Sequence, residues 1–185
     1  MQFDKLLVRI GKLLDAATIP YMVIGGQAVL QYGEPRLTKD IDITIGIASE
    51  EVEKVLAIAK RGKLKSLPAS PKKFARETNV LPAEDLQSGI RIDFIFGQTN
   101  YELEAIKNSQ KIFVNNVSIT FASVEDVIIQ KIISGRPRDI EDIANILKKN
   151  AQIDAKYILR WLRMFEQELS QSFVKVFKNI QQQVL

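Results

Sequence analysis

The chain of 185 residues carries 26 basic and 22 acidic side chains for a net +4, is 46% hydrophobic, and has no cysteine and no histidine. A chain of this length suits one domain, or one domain with a helical extension, and buries roughly 70% of its unfolded surface without a disulfide or structural metal. The missing residue types exclude a disulfide framework, a thiolate nucleophile, a Cys/His zinc site, a Ser-His-Asp triad and imidazole acid–base catalysis. If the chain is an enzyme, its chemistry must come from carboxylates, lysines, hydroxyls and bound metal.

No apolar run approaches the roughly 20 residues of a membrane span. The opening Met1-Gln2-Phe3-Asp4-Lys5-Leu6-Leu7 lacks the layout of a signal peptide, so cytoplasmic residence is expected. Apolar positions at Phe3, Leu6, Leu7, Ile10, Leu13 and Leu14 predict a helix over 3–17. After Pro20, Tyr21–Ile24 reads as a buried strand, and Gly25-Gly26 turns the chain into a helix over 27–32. Gly33 and Pro35 close that helix, and a strand follows over 41–47. Ser49, with Val52, Val55, Leu56, Ile58 and Ala59 behind it, reads as the N-cap of a second amphipathic helix.

Residues 62–73 show no period; Pro68, Pro71, Lys63, Lys65, Lys72 and Lys73 read as a solvated basic loop, with an acceptor-contacting loop as the sharper alternative. A strand is expected over 74–81, and a clearer one between Gly89 and Gly97. Asn115-Asn116 forms the turn of a hairpin between 111–114 and 117–121. Ser123-Val124-Glu125-Asp126 opens a helix that Gly135 ends, and Pro137 opens the next over 137–149. Ile153, Tyr157, Trp161, Phe165, Leu169 and Phe173 recur every fourth residue, as a core stripe does. The fold class is α/β (α+β): a small mixed sheet flanked by helices over 1–122, then a C-terminal helical region over 123–185 packed on that core.

The most informative stretch is Thr38-Lys39-Asp40-Ile41-Asp42-Ile43-Thr44-Ile45. In a strand, residues i and i+2 share a face, so Asp40 and Asp42 project side by side. Two such carboxylates repel unless a cation sits between them, and hard oxygen ligands suit Mg²⁺ or Mn²⁺. Gly25-Gly26 offers backbone N–H groups at a helix start, a natural phosphate cradle. Asp93 is a carboxylate inside an apolar strand, where it must face solvent, an arginine or a shared metal. Lys131, Arg136, Arg138 and Asp139 gather charge around one helix–helix turn, which also reads as an ordinary charged turn.

In order, Gly25-Gly26, Asp40-x-Asp42 and Asp93 resemble the polymerase-β-type nucleotidyltransferase superfamily. The runs 25–42 and 123–143 look like its branch of AbiEii toxin-type nucleotidyltransferases, and the likeness covers about residues 20–148. The resemblance implies that Asp40, Asp42 and Asp93 hold the catalytic divalent ions, with Asp93 also taking the proton of the attacking hydroxyl. It implies that Gly25 and Gly26 cradle the triphosphate, although many relatives carry serine where Gly26 stands. Lys131, Arg136, Arg138 and Asp139 would complete the nucleotide site, with Arg36 and Thr38 as weaker correspondences. The expected reaction moves a nucleoside monophosphate from an NTP to a hydroxyl and releases pyrophosphate. The toxin-type likeness makes a tRNA 3′ end the leading acceptor and an antitoxin protein an expected partner. A small-molecule acceptor and a silent nucleotide-binding module are the alternatives.

Overall fold

The computed structural model describes residues 2–184. Its chain order is α1 (Gln2–Ala16), β1 (Tyr21–Ile24), α2 (Gly25–Tyr32), β2 (Asp40–Ile45), a 3₁₀ turn (Ser49–Glu51), α3 (Val52–Arg61), β3 (Leu64–Ser66) and α4 (Pro71–Thr78). It continues through β4 (Val80–Asp85), β5 (Arg91–Phe96), α5 (Asn100–Asn108), β6 (Gln110–Val114), β7 (Val117–Phe121), α6 (Val124–Ser134), α7 (Pro137–Lys149), α8 (Ala155–Leu169) and α9 (Phe173–Val184). Among the described residues, all seven strands join one mixed sheet in the order β3-β4-β5-β2-β1-β7-β6.

Two compact units divide the chain. The first takes the residues up to Gln27 together with Leu37–Ala122 and contains the entire sheet. Its centre is the parallel pair β2·β5, flanked by β1 antiparallel to β2 and by β4 antiparallel to β5. Ile41, Ile43, Ile92 and Phe94 are buried, and each contributes about 1.5–3 kcal/mol by leaving water. Alternation does the rest: β2 buries its isoleucines and leaves Asp40 and Asp42 part-exposed on the other face.

The second unit takes Ala28–Arg36 and the chain from Ser123 onward, and it is helical. Ser123 caps α6 by accepting from the Asp126 backbone N–H, and Gly135 closes the helix in the left-handed conformation. Pro137 occupies the first turn of α7, where its absent N–H costs nothing. Ile128, Ile143, Ile146, Leu162 and Phe177 form much of this unit's core.

Several expectations need correction. Residues 62–73 are not one loop: they contain β3 and the start of α4. The strand expected over 74–81 is a helix as far as Thr78, and β4 begins at Val80. Pro71 starts α4 and Asn79 stops it at φ 55°, so both signals of a short helix were present. Ser49 makes no capping hydrogen bond; it is buried in the 3₁₀ turn that precedes α3. The stripe from Ile153 to Phe173 is split, because α8 ends at Leu169 and Ser170 turns left-handed. Four-residue steps also drift by about 40° each on a helix of 3.6 residues per turn, so the stripe slides off the buried face. Trp161 is buried while Leu169 is 49% exposed.

Candidate functional site

β2 and β5 align Asp42 directly beside Asp93 and Asp40 beside Arg91. Side chains level on neighbouring strands share a face, so three carboxylates and one guanidinium stand together on one side of the sheet. Ile24, the last residue of β1, is level with Asp42 from the other side, and Gly25 follows it at φ +62°. A Cβ on Gly25 would lie 2.1 Å from Asp42 Oδ2. The glycine therefore supplies both a left-handed turn and the room for that carboxylate.

Arg91 is the site residue that the sequence analysis passed over. Its Nε donates to Asp93 Oδ1 at 2.9 Å, with Asp93 only 16% exposed at its side chain and Arg91 54%. That hydrogen bond and charge, with further attraction from Asp40 and Asp42, raise the guanidinium above its ordinary pKa. The signal was available: Arg91 sits two residues before Asp93 in a strand, hence on its face. Gln27 was missed as well. It is 4% exposed and its Nε2 donates to Thr38 Oγ1 at 2.6 Å, which ties the first turn of α2 to the segment entering β2.

The second unit holds the remaining expected residues. Lys131, 7% exposed, places Nζ 2.6 Å from Asp139 Oδ1 and 2.8 Å from Asp142 Oδ2. Arg36 Nε lies 3.1 Å from Asp142 Oδ1, so the buried Lys131, Asp139 and Asp142 and the part-exposed Arg36 form one cluster. Burial opposes ionisation of Asp139, but Lys131, Ser134 and the Arg136 backbone N–H outweigh it and hold the carboxyl below its usual range. Arg136 and Arg138 are exposed at the turn between α6 and α7.

Among the described residues, no three acidic side chains converge closely enough to hold a metal ion unaided. The donor set still fits a hard cation. Asp40 and Asp42 offer carboxylate oxygen alone from one face, and Mg²⁺ is typically held by one or two carboxylates with substrate phosphates and water.

Over residues 3–180 the chain matches the family described as a nucleotidyl transferase of unknown function (DUF2204). It belongs to that family. Membership makes it a nucleotidyltransferase, at the level of the superfamily rather than of the toxin-type branch. No curated protein matches it by sequence. Among solved structures it is similar to ANT(2")-Ia in complex with adenylyl-2"-tobramycin, with 16% identity, TM-score 0.59, and 80% of this chain and 88% of that chain covered. An antigenic nucleotidyltransferase-like protein from Paracoccidioides brasiliensis is similar at 14% identity and TM-score 0.59, with 95% and 91% covered. The lincosamide antibiotic adenylyltransferase LnuA, bound to lincomycin, is similar at 17% identity and TM-score 0.55, with 77% and 94% covered. At these identities the likeness is one of fold. Among the described residues, no helix is long and apolar enough to cross a membrane.

Proposed function

We propose that this protein transfers a nucleoside monophosphate from an NTP to a hydroxyl acceptor in a Mg²⁺- or Mn²⁺-dependent reaction. The observation that carries the reading is the alignment of Asp42 with Asp93 on adjacent parallel strands, with Gly25 moulded to the Asp42 carboxylate. Asp40 and Asp42 would hold the cation, and the backbone at Gly25 and Gly26 would receive the triphosphate. The bound cation supplies charge neutralisation at the α-phosphate and the departing pyrophosphate.

Asp93 takes the proton of the acceptor hydroxyl. The new bond joins that oxygen to the α-phosphorus, and the bond to the β-phosphate oxygen breaks with pyrophosphate as the leaving group. Arg91 holds Asp93 in place until the acceptor arrives and then offers a positive charge near the reacting phosphates. Lys131 acts through Asp139 and Asp142 to brace the α6–α7 turn that presents Arg136 and Arg138. A site built on positioning and charge neutralisation has no need of histidine.

Three acceptor classes offer a hydroxyl: an RNA 3′ end, including that of tRNA, a protein side chain, and a small hydroxylated molecule. The test is transfer of label from each α-labelled NTP, with Mg²⁺ or Mn²⁺, to total RNA and to a panel of small hydroxylated compounds, beside Asp93→Asn. Label on an acceptor with wild type alone supports the reading. Label transferred equally by Asp93→Asn removes Asp93 from the chemistry.

A further inference from the structure

A cavity of about 630 Å³ opens within the first unit, against the strand that carries Asp93. Leu67, Pro68, Phe74 and Pro82 give it apolar walls, and the charged groups lining it are two cations, Lys73 and Arg91, and one acid, Glu77. Pro82 is level with Asp93 across the β4·β5 pair, so the floor of the cavity adjoins the third carboxylate. Arg91 belongs to both places: it lines the cavity and donates to Asp93. The volume lies in the range that holds a nucleotide-sized ligand.

The surroundings of the cavity are the most basic part of the chain. Between Lys60 and Glu77 there are seven cations and one acid, whereas the whole chain nets only +4, so the remainder is net acidic. All seven are exposed. Lys72 meets Glu53, and Lys73 lies 3.8 Å from Glu77; these are solvent-facing pairs that an arriving phosphate can replace at little cost. One transverse row of the sheet runs Asp40, Arg91, Glu84, Lys65, which carries a lysine on the carboxylate face out to the edge strand β3. Leu67 and Phe74 are 43% and 38% exposed, large apolar surfaces left to water at the mouth.

An aromatic ring and proline faces beside a track of lysines form the combination that binds a single nucleic-acid strand, by stacking the bases and neutralising the backbone. Resting on the nucleotidyl-transfer reading above, we infer that this cavity is the acceptor site and takes the 3′-terminal nucleotide of a single nucleic-acid strand. The terminal base lies against Phe74, the preceding phosphates follow Lys73 and Lys65, and the terminal hydroxyl reaches Asp93 past Arg91.

The test is fluorescence anisotropy with 5′-labelled RNA and DNA hexanucleotides, in Mg²⁺ but without NTP so that no transfer occurs. Wild type, Phe74→Ala, Lys73→Gln and, as a control on α9 of the second unit, Lys178→Gln are compared, and Mg²⁺–NTP thermal stabilisation is recorded for each. Phe74 and Lys73 are surface positions on α4, whose buried residue is Ala75, so both variants fold. The inference expects wild type to bind a single strand, RNA or DNA, more tightly than a blunt duplex. It expects Phe74→Ala to weaken binding about fivefold or more, and Lys73→Gln to lower the salt slope by roughly 0.7. Lys178→Gln should change neither. Absence of strand binding, or equal losses in Lys73→Gln and Lys178→Gln, overturns the cavity assignment. If NTP stabilisation persists in that case, the nucleotidyl-transfer reading survives it. Strand binding with the expected losses but no NTP stabilisation of any form keeps the cavity and overturns the transfer reading. Protection of Phe74 by a small hydroxylated compound, with no strand binding, assigns the cavity to a small acceptor and overturns the inference.

Discussion

Gly25 leaves open the space that the Asp42 carboxylate fills: a Cβ there would stand 2.1 Å from Oδ2 and 3.0 Å from Cγ. Gly25→Ala therefore meets two penalties, the left-handed φ of +62° and a collision with a site carboxylate. It should lower stability by about 2 kcal/mol or more in urea unfolding, and abolish NTP-dependent stabilisation. In an Asp42→Ala background the same change should cost at least about 1 kcal/mol less, since the collision is gone. Additive costs would show that the two residues do not compete for the space.

Arg91 stands where a cation is attracted by all three carboxylates, and it is more than half exposed. Removing it as Arg91→Gln should tighten Mn²⁺ binding in the absence of NTP by about twofold to fivefold, the value of a partly screened ion pair. Titration followed by Mn²⁺ paramagnetic resonance reads this directly. Unchanged or weaker binding would mean that the guanidinium does not compete with the ion.

What the sequence could reveal followed from how strongly each segment is patterned. β5 is bounded by Gly89 and Gly97 and buries Ile92, Phe94 and Phe96, so its period of two is plain. The hairpin turn needs two left-handed residues, and Asn115 and Asn116 adopt φ 48° and 64°. α4 was hidden because it buries only Ala75 and so carries no apolar period. β4 was displaced because Pro82 lies inside it; the strand tolerates a proline there, whose carbonyl accepts from Leu67 N. α5 was passed over although Thr99 and Glu102 form a reciprocal capping box ahead of it. At the site, the aspartates announce themselves as charges in apolar strands. Arg91 can be read only from its place two residues before Asp93 on the same strand, whereas the pairing of Lys131 with Asp139 and Asp142 depends on how α6 and α7 pack.

Lys131 lies between Asp139 and Asp142 in a nearly dry setting, where removing one partner leaves charge without compensation. Lys131→Met should destabilise the protein by about 3–5 kcal/mol. Urea midpoints measure it, and a loss under 1 kcal/mol would show the cluster to be well hydrated.

Acid should expose the two buried carboxyls that are held below their usual range, Asp85 and Asp139. Burial opposes ionisation of Asp85, but Ser88 and Arg9 outweigh it; Lys131 does the same for Asp139. With folded values below unfolded ones, the unfolded chain binds more protons in the window between them. Their contribution is therefore complete above the unfolded value of about 4 and is lost as pH falls through the folded values. Without histidine, stability should be nearly level from about pH 5.5 to 7, then fall below about pH 4. Asp139→Asn should flatten that fall. A midpoint that moves strongly between pH 6 and 7 would contradict the assignment.

Under the proposed function, Asp42 helps to hold a cation on which a nucleoside triphosphate sits. Thermal unfolding of wild type and Asp42→Ala with a non-hydrolysable NTP analogue, with Mg²⁺ and with chelator, tests it without knowledge of the acceptor. At a hundredfold excess over Kd, binding should stabilise wild type by about 2.7 kcal/mol. That gain should vanish with chelator and in Asp42→Ala. Equal stabilisation of both proteins by the Mg²⁺–nucleotide complex would contradict the account.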